Sequence, residues 1–158
     1  MKLLIVLGSG GHTKEMIRLV DLLGQKYQYA YLVAADDELS MLKIRVPGPV
    51  FKVVRPRWKH TPLALAVLRT AWSGLQALWA LLRVRPRAVI SAGPGPAVPA
   101  SLLAKLLGIK VVFIETGSRI FALSASGRIL YRVADLFFVQ WPELLPLCPK
   151  GLYVGRLF

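Results

Sequence analysis

Apolar residues along this chain fall into two kinds of run. Six short ones, at 3–7, 29–34, 50–54, 88–91, 110–114 and 136–139, are rich in Leu, Ile, Val, Phe and Tyr and have the length of buried strands. Between them lie longer stretches whose patterning predicts helices over 14–23, 38–43, 62–82, 98–107 and 127–133. Gly24 and Gly108 follow two of these, where a helix C-cap favours a residue without a Cβ. Apolar strands alternating with helices belong to a parallel sheet joined by right-handed crossovers. The expected fold is therefore α/β: a single Rossmann-like sheet with helices on both faces, in one domain spanning 1–158, without internal repeat or linker.

The helix at 62–82 differs from the rest. Leu65, Leu68, Trp72, Leu75, Trp79 and Leu82 recur at three- and four-residue steps, while Arg69, Ser73 and Gln76 form a narrower polar stripe. It is nearly long enough to span a bilayer, which takes about 20 apolar residues, but Arg69 near its middle argues against a span. Two readings remain open, a greasy core helix and a helix partly sunk in a membrane interface, and one face could serve each. The residues expected to touch the membrane are Arg55, Arg57, Trp58, Lys59, Trp72, Trp79 and Arg83, a mixture suited to the headgroup level.

Charge sharpens that picture. The net charge is +13, and no Asp or Glu occurs between Leu39 and Ile114 although twelve Lys and Arg do. A one-signed belt attracts a polyanion, which could be an anionic lipid surface, a diphosphate or nucleic acid. No nucleic-acid-binding motif accompanies it, so nucleic acid is not the expected partner. The single cysteine, Cys148, cannot form an intramolecular disulfide, and the first apolar run stops after five residues, short of the roughly 7–15 of a signal sequence. The expected location is the cytoplasmic face of a membrane, peripheral or monotopic.

Candidate chemistry gathers where strands end. The first strand runs into Gly8-Ser9-Gly10-Gly11-His12-Thr13, a glycine-rich turn opening a helix, whose free N–H groups and dipole suit phosphate oxygens. The pattern is neither a Walker loop nor a dinucleotide fingerprint. His12 at its mouth can donate to an oxygen or accept a proton near neutral pH. A second loop, Gly93-Pro94-Gly95, follows the fourth strand and also opens a helix, so both loops should face one cleft at the carboxyl edge of the sheet. Glu115 ends the fifth strand and either pairs with Arg119 or serves as sugar ligand or base; Ser118, Ser126, Gly127 and Arg128 follow in the same region. Asp37 ends the second strand, where an acid caps the next helix or holds a sugar hydroxyl. No HExxH, paired-cysteine or GxSxG pattern is present, so no metal site or serine elbow is expected.

The motifs LGSGGHTKEM, AADDELS, SAGPGPAVP, IETGSR, SASGR, YRVAD, VQWPEL and YVGRLF, in this order and over essentially the whole chain, resemble the asparagine-linked glycosylation subunit fourteen family. The sequence departs from that family's usual pattern at Ala92 and Arg128. The resemblance implies the N-terminal half of a GT-B glycosyltransferase: a membrane-associated, acceptor-binding subunit that recruits a separate donor-binding subunit. The pair would transfer N-acetylglucosamine, or a related sugar, from a UDP-sugar to a lipid diphosphate-linked sugar. By the same resemblance Gly8 to His12 would hold the acceptor diphosphate, together with Gly93, Pro94, Gly95, Ser118, Arg119, Ser126, Gly127 and Arg128. Gln140 and Trp141 fall in a further family motif and are assigned with Tyr153, Leu157 and Phe158 to partner binding, since the apolar ending suits docking on another subunit. No cofactor is implied, the UDP-sugar being a substrate bound mainly by the partner. Eukaryotic members carry an N-terminal transmembrane helix with no counterpart in these 158 residues, so attachment is expected from the region around 62–82 or from a partner.

Size supports a split enzyme independently, because one sheet makes one lobe and a cleft closing on two substrates needs two. His12 is the first candidate for the base, followed by Glu115 and Asp37, in an inverting transfer that the subunit would not perform alone. The rival reading is a non-catalytic membrane adaptor for the donor subunit.

Overall fold

The computed structural model describes residues 1–56 and 62–157. Its strands are β1 (Lys2–Val6), β2 (Gln28–Ala34), β3 (Val50–Val53), β4 (Ala88–Ser91), β5 (Lys110–Ile114), β6 (Leu136–Val139) and β7 (Leu152–Tyr153). Its helices are α1 (Gly11–Leu23), α2 (Glu38–Met41), α3 (Leu63–Val84), α4 (Ala97–Leu106) and α5 (Ala125–Leu130). The strands form one sheet in the order β3-β2-β1-β4-β5-β6-β7, and every neighbouring pair is parallel. The six expected strands are present; β7, two residues long, was too short to register as an apolar run.

Alternation along β1 divides the core. Leu4 and Val6 face α3 and α4, against Ala77, Ala80, Leu81, Ala100 and Ala104. Leu3, Ile5 and Leu7 face α1, against Met16, Ile17 and Val20. A smaller cluster of Phe113, Leu130, Phe137, Leu144 and Cys148 closes the β6 end. Gly24 and Gly108 follow α1 and α4 with φ of 63° and 71°, the left-handed region that glycine enters freely.

Helix α3 is turned the opposite way from what its large residues suggest. Its sheet-facing side is small, with Ala66, Ser73, Gly74, Ala77 and Ala80 buried, and Gly74 comes close to Pro99 and Leu103 of α4. The stripe of Leu65, Leu68, Trp72, Leu75, Trp79 and Leu82 is 46–67% exposed. The residues read as its polar stripe point inward: Ser73 is buried, the Gln76 Oε1 accepts from Val54 N at 2.7 Å, and Arg69 donates to the Arg55 carbonyl at 3.3 Å. Small residues take most of the sheet face because they let the helix axis approach, Leu81 and Val84 complete it at the C-terminal end, and the other bulky residues are left outside.

Candidate functional site

Strand order reverses between β1 and β4, which diverge into loops on either side of a crevice at the carboxyl edge of the sheet. The two glycine loops meet there. A Cβ on Gly8 would lie 2.1 Å from the Cβ of Pro94, so glycine at this position lets the second loop pack on the first. Gly8 and Pro94 are buried, packed on one another at the base of the two loops. Ser9, Gly10, Gly11 and Gly95 remain exposed. Gly10 adopts φ 75° and, contrary to the expected start at 14, α1 begins at Gly11 without any side-chain cap. Its first N–H groups thus face the loop mouth with a positive dipole end.

The loop is braced from behind. Asp37 accepts from Ser40 N at 3.2 Å and from Ser40 Oγ at 2.7 Å; Ser40 Oγ lies 2.6 Å from Thr13 Oγ1, which donates to the Gly8 carbonyl. Both oxygens of buried Asp37 accept hydrogen bonds in this way, so Asp37 caps α2 and steadies the loop.

His12 occupies the first turn of α1, with its side chain 30% exposed. Its Nδ1 is buried without a hydrogen bond and lies 3.9 Å from Oε2 of Glu15, one turn further along. The exposure of the ring therefore falls on the edge away from Nδ1. Burial pushes the imidazole below its ordinary value, against the opposing pull of the Glu115 carboxylate and the Ala92 carbonyl. A neutral ring with a free lone pair at the crevice can accept a proton.

Glu15 is the residue that sequence reasoning passed over. It is wholly buried, and its Oε1 accepts from Gly117 N at 2.7 Å, Gln140 Nε2 at 3.0 Å and Thr116 Oγ1 at 3.1 Å. Burial raises its carboxyl above the usual range, and these bonds pull it back. The one available signal was position: an acid on the helix face that also presents Met16, Val20 and the ring of His12.

Glu115 is also fully buried. It accepts from Thr116 N at 3.1 Å and from Ser124 N and Oγ at 3.0 and 3.2 Å, and among the described residues no ion pair joins it to Arg119, which acts on it only through charge. Burial is the larger influence and raises its carboxyl. A Cβ on Gly127 would stand 2.0 Å from Glu115 Oε2, so this glycine makes room for the carboxylate. The Ser126 hydroxyl is committed to the Gly93 carbonyl at 2.7 Å, tying α5 to the second loop. Ser118, Arg119 and Arg128 are exposed at the same rim.

The residues assigned to a partner divide. Gln140 is buried and internal: Nε2 holds Glu15 and the Glu115 carbonyl, and Oε1 accepts from Leu157 N at 2.9 Å. Half-buried Trp141 donates to the Gly117 carbonyl at 2.7 Å beneath the Arg156 guanidinium, which sits 4.5 Å above its ring. Tyr153 is exposed on edge strand β7, and Leu157 packs on the α1 side of the core. Among the residues assigned to the membrane, Trp72, Trp79 and Arg83 are exposed, but Arg55 is ion-paired to Asp36 at 2.9 Å with its side chain only 19% exposed. Arg57, Trp58, Lys59 and Phe158 lie outside the described residues.

A parallel sheet with its crevice at the β1/β4 switch point, floored by a glycine loop and a histidine, is a Rossmann-like fold of the kind that forms one half of GT-B proteins. The chain is similar to Acinetobacter baumannii MurG, with a TM-score of 0.79 and 19% identity, covering 99% of this chain and 46% of that one. It is similar in fold to a UDP-N-acetylglucosamine 2-epimerase as well, with a TM-score of 0.75 and 16% identity over 48% of that chain. It thus spans slightly under half the length of these structures.

The chain belongs to the family described as oligosaccharide biosynthesis protein Alg14 like, whose model matches residues 3–157. Relatives named UDP-N-acetylglucosamine transferase subunit ALG14 are 36% identical in Mus musculus, over 99% of this chain and 83% of that protein, and 34% identical in Schizosaccharomyces pombe, over 97% and 81%.

Proposed function

We propose that this chain is the acceptor-binding subunit of a two-part glycosyltransferase, working on the cytoplasmic face of a membrane and inactive without its partner. The pair transfers N-acetylglucosamine or a related sugar from a UDP-sugar to a lipid diphosphate-linked sugar. The observation that carries this reading is His12, partly open beside an uncapped helix N-terminus and held by burial below the ordinary imidazole value. The exposed amides of the first loop, with Arg119 at the rim, receive the acceptor diphosphate. The acceptor hydroxyl loses its proton to His12 Nε2 as its oxygen bonds to the anomeric carbon; the bond from that carbon to the diphosphate breaks, and UDP departs with the electron pair on the partner's side.

The bulky outward stripe of α3 supports membrane attachment. Moving half-exposed Leu and Trp side chains out of water is worth on the order of 1 kcal/mol each. Arg83 at the end of α3, and the absence of acid from the whole central third of the chain, favour an anionic surface over another protein. Pro56 lies 3.4 Å from a Cβ placed on Gly95, at the rim of the crevice. A membrane-held acceptor would enter from that side.

The test is co-expression with the donor-binding subunit and transfer assays with several UDP-sugars and a short-chain lipid diphosphate sugar. Transfer is expected only from the complex; transfer by either subunit alone, or by neither alone nor together, overturns the proposal.

A further inference from the structure

The crevice contains two buried polar atoms without partners that face each other, Nδ1 of His12 and Oε2 of Glu15, 3.9 Å apart. That separation is too long for a hydrogen bond, and a buried polar atom left unpaired costs free energy. Each would satisfy the other after a small rotation of the ring, and hydrogen bonds in unliganded sites commonly tighten only when substrate is present. The carboxylate itself has no such freedom. Three donors from two separate segments, Thr116 and Gly117 after β5 and Gln140 after β6, converge on Oε1 and leave Oε2 toward the ring. Donors favour an ionised acceptor, and three on one oxygen prevent that oxygen from carrying a proton.

We infer that Glu15 is the positioning residue for His12: its Oε2 accepts the Nδ1 proton, which fixes the tautomer whose Nε2 lone pair faces the acceptor, and it balances the imidazolium formed during transfer. The inference rests on the reading of His12 as base. In the step itself the acceptor proton arrives at Nε2, Nδ1–H stays on its nitrogen beside Oε2, and no proton passes to Glu15. Glu115, at the end of β5, acts on the same ring through its charge, and Arg119 acts likewise on Glu115; neither is altered when Glu15 alone is changed, so the change isolates Glu15. Glu15→Gln is the informative variant. Its amide oxygen can keep the three donors, which turns the NH2 group toward Nδ1 and selects the opposite tautomer.

The experiment follows the ring signals of His12 by NMR against pH in the full chain carrying His60→Ala, which removes the other histidine. Glu15, Glu15→Gln and Glu15→Asp are compared, with kcat and KM measured in the complex with the donor-binding subunit. The expected result for Glu15→Gln is a switch from Nδ1–H to Nε2–H and a lower His12 pKa. A loss of about 100-fold or more in kcat, with KM little changed, should accompany it. Glu15→Asp, which keeps the charge, should retain the Nδ1–H form. An unchanged tautomer and titration in Glu15→Gln overturns the inference. If Glu15→Gln fails to fold, Glu15→Asp carries the test through the weaker hold of its shorter side chain: a lowered His12 pKa supports the inference and an unchanged one overturns it. Normal transfer by His12→Ala would remove the base reading, while the tautomer would still decide whether Glu15 orients the ring.

Discussion

Gly8 and Pro94 are in contact across the crevice, at a spacing that leaves no room for a side chain at position 8. This contact sets the separation of the two loops and thereby the aperture beside His12. Gly8→Ala should push the second loop outward and destabilise the chain by about 1–3 kcal/mol, the usual range for overpacking. Denaturant unfolding measures the stability loss, and transfer activity of the complex should fall more than the folded fraction does.

His12→Ala should lower kcat in the complex by about 100- to 10,000-fold and leave folding intact, because the ring is partly exposed and its Nδ1 makes no hydrogen bond. The pH profile has a sign. A base must be deprotonated, and burial lowers the pKa of His12. Activity should therefore rise with pH through a value below 6.5, the ordinary imidazole value, and be flat above it on the acid side of the profile. A rising limb centred well above neutrality would contradict the burial effect.

Gly127→Ala should be as damaging as many core changes although it adds one methyl group. The new Cβ would displace the Glu115 carboxylate from its bonds to Ser124 and Thr116. A loss of about 1–3 kcal/mol is expected in thermal or denaturant unfolding. Arg119→Ala, by contrast, should leave stability nearly unchanged, since that side chain is exposed at the rim.

Trp72→Ser combined with Leu75→Ser should leave the fold unaltered, both residues being exposed on α3. Binding to anionic vesicles should weaken about 10-fold or more in sedimentation. Equal binding by this variant would remove α3 as the membrane contact.

Asp135 joins β5 to the turn before β6. It accepts from Val111 N at 2.9 Å and pairs with Lys105 at 2.9 Å and Lys110 at 3.1 Å, which brings its carboxyl down to about 2. A depressed carboxylate adds stability that is fully present above its unfolded pKa of about 3.9 and is lost as pH falls through the folded value. Asp135→Asn should therefore lower stability at neutral pH by about 1 kcal/mol and make acid unfolding shallower below pH of about 4.

Most of the architecture was legible because a parallel sheet buries its strands on both faces, which writes each of them as a short apolar run. Strand β7 escaped because two residues carry no period. The site was legible in part. His12 and the glycine loops showed themselves through residue type, since glycine before a helix and a histidine at its mouth are unusual choices. Other residues were misread for a common reason: sequence names a side chain without saying what fills its hydrogen bonds. Gly127 and Gln140 look like surface chemistry in the sequence and are internal braces in the fold, whereas Asp37 takes the helix-capping role that its place at the end of the second strand had suggested. Glu15 looked like an ordinary helical acid until residues 101, 102 and 125 positions away closed around it.

The sequence alone determined the α/β alternation, the loops at strand ends, the basic belt and the family, because these depend on local period, local composition and motif order. The tertiary structure decided which face of α3 is buried, which glycines make room for neighbours, and which carboxylate stands behind His12. Those outcomes depend on contacts between segments far apart in the chain, where steric fit and the need to pair buried polar atoms outweigh any local preference.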